Sequence, residues 1–236
     1  MIKLGIPSKG RLQADTIAWF AERGVHITLA GAGREYAGDV DGVEGVALVL
    51  LSAGEIPREL AAGRIHLGVT GQDLIAEQLG PQPTQVAQLA PMGFGYADLV
   101  LAVPAFWRDV WGVDDLDAVA ARLRAAQGHR LRIATKYHNI VRRYLQDQGV
   151  ADYVLVDSQG ATEGTVKNET AEAIADITST GATLEANHLK MLDYGPILQS
   201  QATLFAARTA PWQGHEGAWQ TLRDTLGVPQ LPWLQG

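Results

Sequence analysis

Apolar residues fall along this chain in short runs and at helical spacing, and the two patterns alternate almost from end to end. Ile2 to Ile6 has the length and branching of a strand, and a loop, Ser8-Lys9-Gly10-Arg11, follows it. Leu12 to Arg23 places Leu12, Thr16, Trp19 and Phe20 on one helical face. Val46 to Leu51 is continuously apolar, as expected of a strand buried on both faces. Further strands are predicted over Ile65–Thr70, Leu99–Val103, Leu131–Thr135, Tyr153–Val156, Ala173–Ile177 and Ala202–Ala206. Helices are predicted over Ile56–Ala62, Gly71–Leu79, Asp114–Gln127, Asn139–Gln148, Leu184–Leu192 and Glu216–Leu226. The Pro- and Gln-rich stretch Pro81 to Met92 reads as a connection, and Gly160 to Glu169 as a loop. Strands separated by helices imply an α/β fold with mainly parallel sheets, and ligands in such folds bind off the carboxyl ends of strands.

Composition narrows the function classes. The chain has 236 residues, 47% of them hydrophobic, enough for one large α/β domain or two smaller ones. It has no cysteine, which excludes disulfides, thiolate catalysis and Cys-built zinc sites. No apolar run reaches the roughly 18 residues of a membrane helix. The first residues show no signal-peptide pattern, so a cytoplasmic location is expected and no membrane association. A net charge of −7 argues against a nucleic-acid partner, and no His/Asp/Glu spacing suggests a metal site built by the protein.

One stretch carries chemistry. In Ala173-Ile-Ala-Asp176-Ile-Thr-Ser-Thr-Gly-Ala-Thr183-Leu184 a strand ends in a carboxylate, a turn of hydroxyls and glycine follows, and a helix begins. Backbone N–H groups and the hydroxyls of Ser179, Thr180 and Thr183 suit a phosphate there. Asp176 repels phosphate but can accept hydrogen bonds from sugar hydroxyls, so the pattern points to a sugar phosphate. A capped turn without any ligand has the same composition, and the residues alone leave both readings open.

The continuation Thr183-Leu-Glu-Ala-Asn187-His-Leu189 resembles the phosphoribosyl-pyrophosphate loop of ATP phosphoribosyltransferases. Three more stretches resemble that family in the same order: Ser8-Lys9-Gly10-Arg11, Gly63-Arg-Ile-His-Leu-Gly68-Val-Thr-Gly71-Gln-Asp73, and Arg132-Ile-Ala-Thr-Lys136-Tyr137. The resemblance spans about residues 2 to 208. Departures are His66 and Glu55, each where the family has Asp, and Gly160-Ala-Thr-Glu163-Gly-Thr-Val, which lacks the family's Pro.

The resemblance implies a transferase joining the 5-phosphoribosyl group of phosphoribosyl pyrophosphate to N1 of ATP, with pyrophosphate leaving, at the entry to histidine biosynthesis. It implies a type II periplasmic-binding-protein-like fold. The first lobe would comprise 1–96 and 199–236 and the second, with the phosphate loop, 97–198, with a cleft that closes on the substrates. Asp176, Thr178, Ser179, Thr180, Gly181, Ala182 and Thr183 would hold the sugar donor. Lys9, Arg11 and Arg34 would act on the phosphates and the leaving group. Asp73, Lys136 and Glu163 are candidates for the ATP side, with helix starting as the other role for Asp73; His66 reads as structural. Mg2+ would arrive on the substrate phosphates rather than through a protein site. The length matches the family's short form, which pairs with a histidyl-tRNA-synthetase-like regulatory subunit in a hetero-octamer, so the isolated chain is expected to escape histidine inhibition. The C-terminal helix, with Trp219 and Leu222, and exposed parts of the first lobe are candidate contact surfaces in that assembly, and a homodimer of catalytic chains is also expected.

Two rival readings remain at this point: a two-lobed solute-binding module without chemistry, and a phosphoribosyltransferase that accepts a free base.

Overall fold

The computed structural model describes residues 1–29, 38–158 and 160–234. They form two compact units, Met1–Gly95 with Gln201–Gly236, and Tyr96–Ser200. The first unit contains β1 (Ile2–Pro7), α1 (Gly10–Ala21), β2 (His26–Leu29), β3 (Gly38–Asp41), β4 (Val46–Leu51), α2 (Ile56–Ala61), β5 (Leu67–Gly71), α3 (Gln72–Leu79) and β6 (Val86–Pro91). The second contains β7 (Ala97–Pro104), α4 (Val113–Gln127), β8 (Leu131–Thr135), α5 (His138–Asp147), β9 (Tyr153–Asp157), α6 (Gly164–Lys167), β10 (Ala173–Thr178), α7 (Ala182–Ala186), β11 (Leu189–Met191) and β12 (Leu198–Ser200). The chain then adds β13 (Ala202–Ala207), α8 (Glu216–Leu226) and a 3-10 turn at Pro232–Leu234 to the first unit.

The first sheet runs β4-β1-β5-β13-β6, with β4, β1 and β5 parallel and β13 and β6 added antiparallel. Gly5 pairs with Gly68 across β1 and β5. A Cβ on Gly5 would meet Ile65 at 2.6 Å and one on Gly68 would meet Ile56 at 2.7 Å, so glycine lets those side chains close over the sheet. Ile2, Leu4, Ile6, Leu67, Leu204 and Phe20 are fully buried there. Full burial of a side chain of this size contributes about 1.5–3 kcal/mol.

The second sheet runs β11-β7-β10-β8-β9. β10, β8 and β9 are parallel, while β11 and β12 pair antiparallel with β7, and β7 with β10. Val100, Ala102, Ala134, Ile174, Leu184 and Leu189 bury one face of it. Leu184 therefore pins the start of α7 onto the sheet just beyond the end of β10.

Several expectations need correction. Pro81 to Met92 is not all connection, because Val86 to Pro91 forms the edge strand β6 against β13. An edge strand pairs on one side only, so it tolerates the polar and Pro residues that suggested a linker. β4 is likewise an edge, and only Val46 and Leu50 of it are buried. Its apolar run persists because Leu48, Val49 and Leu51 pack partly against the core. The helix expected over Leu184 to Leu192 stops at Ala186, and Leu189 to Met191 is strand β11. His188, with φ +58°, turns the chain between them. Gly160 to Glu169 contains the short α6. Trp219 and Leu222 are 1% and 0% exposed inside the first unit, so that face of α8 is core rather than a contact surface.

Candidate active site

Each parallel set of strands delivers its loops to one edge. In the second unit Ile133, Ala134 and Thr135 of β8 pair in register with Ala173, Ile174 and Ala175 of β10. Thr135 also pairs with Asp157 of β9. The next residues, Lys136, Ser158 and Asp176, therefore emerge side by side at the carboxyl edge of the sheet. Thr178 is the last residue of β10, and Asp98 lies directly opposite it on β7.

The turn from Thr178 to Thr183 is built by its own hydroxyls. Gly181 donates its N–H to Thr178 Oγ1 at 2.9 Å, and Ala182 donates to Thr180 Oγ1 at 3.4 Å. Gly181 has φ +77°, a left-handed conformation that glycine adopts without strain. Met191 packs against it, since a Cβ there would lie 3.4 Å from Met191 Cε. Asp176 takes the N–H of Ile177 on Oδ1 at 2.8 Å, and its other oxygen keeps acceptor capacity for ligands. Ser179, Thr180, Ala182 and Thr183 are exposed, while Gly181 is buried. Among the described residues the N–H groups of Ser179 and Thr180 and the hydroxyls of Ser179 and Thr183 make no hydrogen bond. The turn thus offers several donors close together, with a carboxylate just before them. α7 has only 5 residues, so the cradle rests on amides and hydroxyls rather than on the dipole of a long helix.

Lys136 reaches across the same edge and donates to the Gly160 carbonyl at 2.6 Å, holding the start of the loop that carries Glu163. Glu163 is partly buried and precedes α6 without capping it through its side chain. Ser158 and Thr162 are buried and hydrogen-bonded to each other at 2.8 Å. At the amino end of these strands Arg132 clamps Glu172: the guanidinium donates to Oε1 at 2.5 and 3.0 Å and the backbone N–H to Oε2 at 2.7 Å. Burial pushes the Glu172 carboxyl up, but these donors outweigh it and hold it below the ordinary range.

In the first unit Ser8 continues the pairing of β1, its N–H donating to the Leu51 carbonyl at 2.7 Å. Lys9 is the exposed residue before α1, and Gly10 has φ +79°. α1 starts at Gly10, two residues earlier than expected, so Arg11 belongs to its first turn rather than to a loop. Its side chain is 95% exposed and, among the described residues, is restrained only by Asp15, 3.5 Å away. Ser52 donates both its N–H and its hydroxyl to Glu55 Oε2, at 2.8 and 2.7 Å, which lowers the Glu55 pKa. Asp73 is 5% exposed in the first turn of α3, where a carboxylate favours the helix start. Arg34 lies among residues 30–37, outside the described residues.

His66 is 3% exposed. The Lys3 N–H donates to its Nδ1 at 3.1 Å, so Nε2 carries the proton and donates to the Pro211 carbonyl at 3.2 Å. The ring meets Trp212 and His215 edge-on. Its role is structural, and burial lowers its pKa. The strand expected to begin at Leu99 begins at Ala97, so Asp98 belongs to β7 rather than to the segment before it.

The family model for ATP phosphoribosyltransferase (HisG) matches residues 52–226. A curated ATP phosphoribosyltransferase of Cereibacter sphaeroides is 64% identical over 97% of this chain and 97% of its own length. One from Bradyrhizobium diazoefficiens is 48% identical over 89% of this chain, which spans only 64% of that relative's length. Among solved structures, the ATP phosphoribosyl transferase (HisG:HisZ) complex from Thermotoga maritima contains a chain similar at TM-score 0.72 and 22% identity, over 96% of both chains. The periplasmic aliphatic sulphonate binding protein SsuA from Escherichia coli is similar at TM-score 0.50 and 18% identity, over 97% of this chain and 75% of that one. The last two likenesses bear on the fold, which is the periplasmic-binding-protein-like one expected.

Proposed function

The chain belongs to the ATP phosphoribosyltransferase family, which acts at the first step of histidine biosynthesis, and we propose which of its residues carry the reaction. The 5-phosphoribosyl group passes from phosphoribosyl pyrophosphate to N1 of ATP. The N1 lone pair forms the new bond to C1 of the ribose as the bond from C1 to pyrophosphate breaks. N1 already holds its electron pair, so no strong general base is required. The barrier lies in bringing two polyanions together and in the charge gathering on pyrophosphate, so catalysis is positional and electrostatic.

The turn Thr178–Thr183 binds the 5′-phosphate through amides and hydroxyls, and Asp176 accepts from the ribose hydroxyls. Lys9 and Arg11 supply positive charge to the phosphates, with Arg34 as a further cation. Lys136 and Glu163 serve the ATP side, Lys136 by holding the Gly160 turn. The burial of Asp73 supports its helix-start role. Mg2+ would be held by the substrate phosphates, whose oxygens are the hard ligands it prefers, and would supply positive charge to the diphosphate there. A separate regulatory subunit of the HisZ kind is the proposed partner, and the cytoplasm the proposed location. No described helix is long and apolar enough to cross a membrane.

The observation that carries the site assignment is the donor-rich turn that follows Asp176. The activity test follows ultraviolet absorbance as N1-substituted adenine forms from ATP, phosphoribosyl pyrophosphate and Mg2+, with pyrophosphate removed. Absorbance rises with ATP and not with free adenine. A flat trace, with and without a HisZ-type subunit, contradicts the reading, and turnover of free adenine favours the rival transferase.

A further inference from the structure

A row of directly opposed residues crosses the second sheet at its carboxyl edge: Gln199 on β12, Asp98 on β7 and Thr178 on β10. Opposed residues on antiparallel strands share a face, with Cβ atoms about 5 Å apart. Asp176 lies two residues before Thr178, so it shares that face too and is a diagonal neighbour of Asp98 at about 7–8 Å. We propose that Asp98 is a second hydroxyl acceptor for the sugar donor, sharing the vicinal ribose hydroxyls with Asp176. This rests on the assignment of the Thr178–Thr183 turn to the donor's 5′-phosphate.

Burial, bonding and charge support the proposal independently. Asp98 is partly buried, yet among the described residues its carboxylate makes no hydrogen bond or ion pair. A carboxylate without protein donors keeps its acceptor sites open to ligand O–H groups. A structural carboxylate of this sheet looks different: Glu172 is held by Arg132 through its guanidinium and backbone. Nor does a second acid beside a phosphate turn suit phosphate, which it repels. It suits the neutral, donating part of the same molecule. Lys136 follows Thr135, whose partner is Ala175, so it emerges beside Asp176 on the side away from β7.

The test is steady-state kinetics of the full chain and its Asp98→Asn and Asp98→Ser variants, with phosphoribosyl pyrophosphate and its 2-deoxy and 3-deoxy analogues. Asp98→Asn is expected to raise KM for the natural donor about ten- to hundredfold, with a smaller change in kcat. It should also abolish the wild-type preference against one of the two deoxy donors. An equal loss with all three donors indicates a structural role and overturns the proposal, as does a change confined to the Mg2+ requirement. Hydrogen exchange of residues 176–183 separates the two levels of the argument. Protection of the wild-type turn by the donor, without any change of deoxy preference in the variants, overturns the role of Asp98 alone. No protection overturns the turn assignment beneath it.

Discussion

Gly181 donates its backbone N–H to the Thr178 hydroxyl at 2.9 Å, tying the end of β10 to the start of α7. The bond sets the curvature of the turn, and Gly181 makes that curvature free of strain at φ +77°. Thr178→Val removes the acceptor and leaves the Gly181 N–H unpaired, whereas Thr178→Ser keeps it. The valine variant is expected to raise KM for the sugar donor about tenfold, at a cost of roughly 1–2 kcal/mol, and the serine variant to stay near wild type. Gly181→Ala adds left-handed strain of about 1–2 kcal/mol, so both affinity and melting temperature should fall. Donor titration of the three variants checks this.

Lys9 and Arg11 are exposed and bear almost nothing of the fold. Lys9→Ala and Arg11→Ala should therefore leave the melting temperature unchanged. If they act on the phosphates, each lowers kcat/KM by about 100- to 1000-fold. Loss below threefold in both variants would remove them from the catalytic machinery.

The Arg132–Glu172 clamp gives the opposite pattern. It ties β8 to β10 at the end of the strands away from the turn. Glu172→Gln should lower stability by about 1–2 kcal/mol, allowing for partial screening, with kinetic constants unchanged. Because the folded Glu172 pKa is lowered, its contribution is present above the ordinary glutamate value near pH 4.3 and is lost as pH falls through the folded value. Denaturant melts of wild type and variant should thus converge at low pH.

His66 predicts stability at a different pH. Burial lowers its pKa, and His215 and the amino terminus push the same way against the Pro211 hydrogen bond. Between the ordinary histidine value near pH 6.5 and the lower folded value, the unfolded chain binds more protons. The stability from neutral His66 is complete above that window and is lost as pH falls through it, by at most about 1.4 kcal/mol per pH unit. Urea melts of His66→Gln should show a shallower loss between pH 7 and pH 5 than wild type.

What could be read from the sequence follows from what a local pattern encodes. Strands buried at the centre of a sheet, such as β8 and β10, are apolar runs, and their expected and observed bounds agree within a residue. Edge strands depend on a partner far along the chain: β6 owes its existence to β13, more than a hundred residues later, and its own residues look like a linker. β11 was hidden because Leu184, Leu189 and Leu192 keep apolar spacing through a chain reversal at His188. The phosphate turn was legible because its hydroxyls, glycine and preceding carboxylate are contiguous. Asp98 was not, because it reaches that turn only through antiparallel pairing across β7 and β10.

The central claim is that the turn after Asp176 binds the 5′-phosphate of the donor. The most direct measurement is a crystal structure of the chain with phosphoribosyl pyrophosphate and Mg2+. The expected map places the 5′-phosphate within hydrogen-bond distance of the Ser179 and Thr180 amides and the Thr183 hydroxyl, with Asp176 on the ribose hydroxyls. A donor bound elsewhere, with these groups facing water, contradicts the account.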